Sequence, residues 1–323
     1  MGGDHGHSVV IPAVLLALSE DQQLRVLLVG DESTLQRSLG QQSHAFPERL
    51  EIVHAPEQVE MAEPASMALR NKKRSSMRVA VELVRDGKAQ GCVSAGNTGA
   101  LMAIGWYVLK TIEAIERPAI LARIPRGQGF TFLVDAGANI DSQSGRLHQF
   151  GLMGAAAVKV LTGNQHPRVA LLNVGVEENK GNDRVKLANE LLRNDDRINY
   201  VGYVEGNDIF TEKSDVVVCD GFVGNIVLKT SEGMARFLVG QFQQVATQGW
   251  MAKIIAYLLK PLLKGLLKKL DPGYYNGASL VGLKGVVVKS HGGANALEYT
   301  RAIHLAATEA REDIPSAIER ELA

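Results

Sequence analysis

The stretch GCVSAGNTGAL, residues 91–101, decides how the chain is read. Gly91, Cys92 and Val93 have the character of the end of a short buried strand, residues 94–98 of a tight polar turn, and residues 99–109 of an apolar helix. A turn of this kind sits at the carboxyl end of its strand. There, Gly96 and Gly99 let a ligand approach the backbone, while Ser94, Asn97 and Thr98 can cap the helix and aim N–H groups outward. That is the construction of an anion site, although a capped strand-to-helix turn serves structure alone equally well.

Outward from this turn the same arrangement recurs. Strands are expected at residues 24–30, 50–54, 119–124, 130–134, 169–174, 200–204, 216–219 and in the run 278–289. Helices are expected at 9–18, 33–41, in two pieces across 63–85 around the polar bend 71–74, at 147–161, up to Arg193, at 226–246, and as one final helix over 294–322. Strands alternating with helices predict an α/β fold with a doubly wound, mostly parallel sheet, built as one domain over residues 1–323, with a helical insertion at 247–276. Further polar turns at 2–5, 135–139, 179–182, 220–225 and 290–295 are expected after strands, where such sheets keep their ligands, so that several would converge on one crevice.

Composition narrows the classes. With 46% hydrophobic and 22% charged residues the chain is globular, and 35 basic against 35 acidic residues leave no global field for nucleic acid. The two cysteines imply no disulfide framework and fit a reducing cytosol. No charged-then-apolar leader and no uncharged apolar run of about 18 residues is present, so the expectation is a cytoplasmic protein that does not span a membrane.

No dinucleotide, Walker or nucleophile-elbow motif occurs, and the histidines and cysteines lack metal-ligand spacing, so neither a cofactor nor a metal is expected. Lys180, between Asn179 and Gly181, can place an ammonium on an anion, or be a solvated loop lysine. His5 and His291 are candidate acids, bases or donors; Asp4, Asp135 and Asp220 can orient them or cap helices. Asn139 and Asn225 are neutral donors of the type that stabilises an oxyanion, and also ordinary turn residues.

The strings MGGDHG (1–6), CVSAGNTGALM (92–102), DAGAN (135–139), RVALLNVG (168–175) with its following lysine-glycine turn, VCDGFVGNIVLKTSEG (218–233) and VKSHGGAN (288–295) together resemble the bacterial phosphate acyltransferase family, in order and over nearly the whole chain. The resemblance implies a three-layer α/β/α fold akin to phosphotransacetylases and isocitrate dehydrogenase-like enzymes. It also implies a homodimer at the inner face of the cell membrane, and transfer of an acyl chain from acyl carrier protein to inorganic phosphate. The acyl phosphate would supply a membrane glycerophosphate acyltransferase in phospholipid synthesis. The family usually places a short apolar strand before MGGD and a proline where His7 stands; here the 323 residues open on the turn itself.

On this reading, Ser94, Gly96, Asn97, Thr98 and Gly99 cradle phosphate with Lys180 as a cation, Asn225 and His291 stabilise the thioester oxygen, and Asp4 and His5 stand in the same site. A phosphotransacetylase acting on coenzyme A thioesters and a non-catalytic membrane-surface scaffold are the rival readings. Residues 250–270 carry Leu258, Leu259, Leu262, Leu263 and Leu266 on one helical face with lysines off it and no acidic residue, the pattern of a helix lying in an anionic lipid surface. Pro261 is expected to kink it, and a buried helix or a dock for acidic acyl carrier protein are its alternatives.

Overall fold

The computed structural model describes residues 1–40, 42, 45–247, 265 and 272–322. The leucine-lysine stretch at 250–270, apart from residue 265, lies outside the described residues, as does most of the expected insertion 247–276. In chain order the elements are α1 (His7–Glu20), β1 (Val26–Gly30), α2 (Glu32–Leu39), β2 (Leu50–His54), α3 (Ala65–Asn71), α4 (Ser76–Arg85), β3 (Gly91–Ser94) and α5 (Thr98–Leu109). There follow β4 (Ala119–Pro125), β5 (Phe130–Val134), α6 (Ser144–Thr162), β6 (Arg168–Leu172), α7 (Asp183–Arg193), β7 (Asn199–Val204), β8 (Val216–Val218) and α8 (Gly221–Thr247). Last come β9 (Ala278–Val281), β10 (Val286–Lys289), α9 (Ala296–Arg311) and α10 (Ile314–Leu322).

Local chemistry sets most boundaries. Asp31, Ser75, Asn97, Asn182 and Asn295 accept a backbone N–H from the first turn of α2, α4, α5, α7 and α9 respectively. Two boundaries correct the sequence reading. The supposed turn 220–225 is already helix: Asp220 accepts the Val223 N–H at 2.9 Å as a cap, and α8 starts at Gly221. The single helix expected over 294–322 is two, because Pro315 cannot donate back to Arg311 and its ring would clash there. The chain turns at Asp313, with φ of 49°, before α10 begins.

The eight-stranded sheet runs β3-β10-β9-β4-β5-β8-β6-β7, while β1 and β2 pair in parallel as a separate ribbon. One helical layer, α3, α4, α5 and α8, buries Met77, Val81, Leu101, Ile104 and Val217, with Leu228 packed against them. The other, α6, α7 and α10, buries Phe150, Met153, Leu192 and Val216. Adjacent Val216 and Val217 therefore face opposite layers, as the period of a strand requires. Strand β10 repeats this alternation, with Val287 toward α5 and Val286 and Val288 toward α9.

Pairing is parallel for β3/β10, β5/β8, β8/β6 and β6/β7, but antiparallel for β10/β9, β9/β4 and β4/β5. The reversals follow from short links such as residues 126–129, since a parallel crossover needs a dozen residues or so. Their consequence is that β3 and β10 run against β5, β8, β6 and β7, and the register, Val288 opposite Ser279, Ser279 opposite Leu121 and Leu121 opposite Val134, brings the carboxyl ends of the two sets to nearly the same level of the sheet. The expectation that several turns would share the one carboxyl edge of a parallel sheet is corrected in this respect: the turns come in two groups, one from each half of the sheet, that approach the same level from opposite directions. Between β1 and β3, each unpaired on the side toward the other, lies a cleft of ≈ 960 Å³ with a mixed polar and apolar lining.

Asp215, just before β8, fastens the far side of the sheet. Its carboxylate takes Arg126 at 2.9 Å and both Arg168 Nε and Nη2 at 3.0 Å. Burial works against its charge, yet the two guanidiniums and the Arg168 N–H hold its pKa down at about 2. Asp215→Ala is expected to cost about 3–5 kcal/mol in urea denaturation at neutral pH, because it leaves two partly buried cations unpaired. A folded-state pKa below the unfolded one means that this contribution is complete above about pH 4 and is lost as pH falls toward 2, which an acid-unfolding comparison of parent and variant reads directly.

Candidate functional site

The first group of turns is assembled by the pairing of β3 with β10. Beyond the last paired residues the Ser290 N–H donates to the Ser94 carbonyl at 2.9 Å, so the turn after β3 and the turn after β10 lie side by side. Ser94 Oγ accepts the Gly96 N–H at 3.2 Å, and a Cβ on Gly96 would meet Met77 Cε at 2.7 Å, so a larger residue here would displace that methyl group. Thr98 and Gly99 are exposed at the start of the 12-residue helix α5, and their N–H groups have no acceptor among the described residues. That is an anion-binding terminus. Asn97 is the exception in the expected cradle. Its Oδ1 caps Ala100 and its Nδ2 donates to the carbonyls of Glu60, Met61 and Glu63, so its amide is spent on structure.

His291 joins this turn through Asn276, a buried residue that carries no sequence motif. Asn276 Oδ1 accepts the His291 N–H at 2.9 Å and its Nδ2 donates to Ser290 Oγ at 2.7 Å. Within the ring, Nδ1 accepts the Gly293 N–H at 3.1 Å, which assigns the proton of a neutral imidazole to Nε2. Desolvation, then Lys229, push the pKa of His291 down, so near pH 7 it is a neutral Nε2–H donor. The Asp4 N–H donates to the Gly292 carbonyl at 2.9 Å, and its carboxylate lies over Gly292 and Gly293. Exposed His5 is held only by its backbone carbonyl, which accepts Ser8 Oγ at 2.7 Å.

Two cations here were not singled out from sequence, although both lie in the motif strings. Lys289 donates through Nζ to the Ala95 carbonyl at 3.2 Å and to the Ser290 carbonyl. Desolvation, then Lys229, lower its pKa to about 8, against an upward pull from Asp4. Lys229 stands on α8 with Glu232 at 3.0 Å, and Arg236 reaches the same carboxylate at 3.0 Å. The signal for them was available, because the spacing 229, 232, 236 marks one helical face.

The second group follows the strands that run the other way. Asp135 is fully buried: Oδ1 accepts the N–H of Ile120, Gly137 and Ala138, and Oδ2 accepts the N–H and Nδ2 of Asn139. With Asn139 Nδ2 also donating to the Pro118 carbonyl, both residues are structural. Asn225, exposed on the first turns of α8, stands against Gly137, and its side chain has no hydrogen bond among the described residues. Lys180 is exposed on the loop after β6, also without an ion pair among the described residues. Gly181, with φ of 87° and Asn173 pressed against it, shapes that loop. Helix α8 joins the two groups: from Asn225 to Lys229 is one turn, a rise of about 6 Å.

A helix N-terminus, a neutral imidazole donor and several cations around glycine turns can bind an anion and stabilise a growing oxyanion. Among the described residues, no three of His, Cys, Asp or Glu converge on a possible metal position. Cys92 and Cys219 are buried, the first with its thiol pushed up to about 12 and the second well above its ordinary value.

Fold and turns thus define the class, a three-layer α/β/α protein with the fold seen in phosphotransacetylases. A phosphotransacetylase from Streptococcus pyogenes superposes with a TM-score of 0.64 at 17% identity, covering 93% of this chain and 91% of that one. A branched-chain phosphotransacylase from Enterococcus faecalis gives 0.61 at 16% identity, with 96% of each chain covered. Residues 1–317 match the model of the family described as fatty acid synthesis protein, and the chain belongs to that family. Proteins named phosphate acyltransferase from Shewanella woodyi and Alcanivorax borkumensis are each 50% identical to it, over 100% and 98% of this chain and 94% of their own lengths.

Buried thiols that resist ionisation are poor nucleophiles. The double variant Cys92→Ala, Cys219→Ala is therefore expected to keep acyl transfer within about threefold of the parent. Mass-spectrometric trapping of an acyl group on either sulfur would contradict this.

Proposed function

We propose that this acyltransferase moves a fatty acyl group from an acyl carrier protein thioester to inorganic phosphate, giving acyl phosphate for phospholipid synthesis. The observation that carries the reading is the match to the family over residues 1–317, joined to whole-chain identity with proteins named phosphate acyltransferase. A phosphate oxygen attacks the thioester carbonyl, the carbonyl oxygen takes up negative charge, and the C–S bond then breaks with release of thiolate. A thiol of pKa near about 8.5 leaves with little proton help, so a strong general acid is not needed. Holding the two reactants in line supplies most of the effect, on the order of 7–11 kcal/mol.

In this scheme the Thr98 and Gly99 N–H groups and Lys180 hold phosphate, with Ser94 and Gly96 shaping the turn and Asn97 fixing it. His291 Nε2–H and Asn225 donate to the thioester oxygen. Asp4 holds the His291 loop, and His5 lines the approach. The substrates lie along α8, which carries Asn225 at one end and Lys229 toward the other group. The fold likeness to phosphotransacetylases supports one second reading, an acyl-coenzyme A donor. Incubation with acyl carrier protein thioester or acyl-coenzyme A, each with and without phosphate, separates the readings: acyl phosphate is expected with the carrier protein, and thioester loss indifferent to phosphate overturns both.

Lys180→Ala is expected to lower turnover at sub-saturating phosphate by about tenfold or more with no change in thermal unfolding, since an exposed lysine adds little to stability but can neutralise a bound anion. Steady-state kinetics at low and saturating phosphate check it.

Assembly and location complete the proposal. Helix α8 exposes Phe222, Ile226, Met234 and Phe237, the last at 59%, a face that supports pairing with a second copy. No described helix is long and apolar enough to cross a membrane. The face formed by Leu258, Leu259, Leu262, Leu263 and Leu266, with its lysines, supports attachment to an anionic membrane surface, where the downstream membrane glycerophosphate acyltransferase would receive the acyl phosphate. Leu259→Glu with Leu263→Glu is expected to release the protein from anionic vesicles in a flotation assay while its turnover of soluble thioester stays near normal.

A further inference from the structure

We propose that Lys289 is a positioning residue for the anion: its ammonium clamps the turn after β3 to the turn after β10 and screens the two carbonyl oxygens that would otherwise repel phosphate. The inference rests on the phosphate-binding reading of this site and adds to it the residue that holds the site together and limits its pH range.

The geometry is specific. Nζ donates to the carbonyls of Ala95 and Ser290, one in each turn, and these turns supply the α5 terminus on one side and His291 on the other. Each carbonyl carries partial negative charge beside a site meant for an anion. An ammonium between them ties the turns and cancels that charge. A neutral amine donates to the carbonyls more weakly and cancels no charge, and an apolar side chain does neither. Among the described elements packed here, the N-terminal turn contributes Asp4, α8 contributes Lys229, and the turn after β10 contributes His291; Glu232 and Arg236 face His291 from α8. The turn after β3 carries no titratable group between Ser94 and Gly99.

Desolvation and Lys229 hold the pKa of Lys289 at about 8, below the ordinary lysine range, so the free protein loses this charge as pH rises through 8. A bound phosphate would stabilise the ammonium and raise that pKa. The expected result is therefore a split: kcat at saturating phosphate stays flat to pH 9, while KM for phosphate climbs above pH 8, toward tenfold per pH unit.

The test compares parent, Lys289→Met and Lys289→Arg at pH 6.5 to 9.5, reading KM for phosphate and kcat. In parallel, the rise in unfolding temperature on adding inorganic phosphate alone is read without any thioester. Lys289→Met is expected to raise KM at least tenfold at pH 7 and to abolish the phosphate-induced thermal shift. Lys289→Arg, charged throughout, is expected to restore binding and to flatten the rise above pH 8. Should arginine fail to fold, by circular dichroism, loss of the parent's pH-dependent limb in the methionine variant decides the same point. An unchanged KM and thermal shift in Lys289→Met, or a parent KM flat to pH 9.5, overturns the proposal. Phosphate protection that depends on Lys289 with no acyl phosphate formed refutes the acyltransferase chemistry and leaves the clamp standing; acyl phosphate formed at normal KM by Lys289→Met does the reverse.

Discussion

Lys289 reaches a carbonyl 194 positions earlier in the chain, and it can do so only because β3 and β10 are hydrogen-bonded in parallel register from Gly91/Val286 to Ser94/Lys289. The anion site has no existence apart from this pairing. Together the two turns are fixed by the Ser290–Ser94 bond, by Asn276 beneath His291 and by Asn97 holding the segment 60–63. Because the pairing is long-range, its formation closes a large loop, and the local caps alone cannot substitute for it.

Charge in the site is arranged to be positive without being excessive. Lys229, Lys289 and Arg236 approach one region, and Glu232 bonded to both Lys229 and Arg236 offsets part of their repulsion. Burial first, and Lys229 second, keep His291 neutral and hold the pKa of Lys289 below the ordinary lysine range. A neutral imidazole is the better partner for a growing oxyanion when the adjacent anion already takes the cations, since it donates without competing for phosphate.

The second group of turns works by rigidity. Five N–H donors converge on the buried carboxylate of Asp135, and a Cβ on Gly224 would lie 1.9 Å from the Asp135 carbonyl oxygen. The start of α8 is thus seated directly on this loop. Asn225 and, one turn later, Lys229 inherit their positions from it, so a residue that touches no substrate governs where two others stand.

The sequence by itself determined the alternation of strands and helices, the turn at residues 94–99, the caps at Asn97, Asn182 and Asn295, and through its motif strings the family. These are short-range properties: period, cap chemistry and turn composition act within a few residues and leave a local record. The helix break at Asp313 and the reversal at residues 126–129 were also written there, in Pro315 and in a link too short for a crossover. Only the tertiary structure decided which turns stand together, that Asp135, Asn139 and Asn97 are consumed by structural hydrogen bonds, and that Asn276, Lys229 and Lys289 stand with His291. The reason is physical: strand order and direction set the neighbours of a side chain, and those neighbours, brought from distant parts of the chain, fix its partners, its desolvation and its charge.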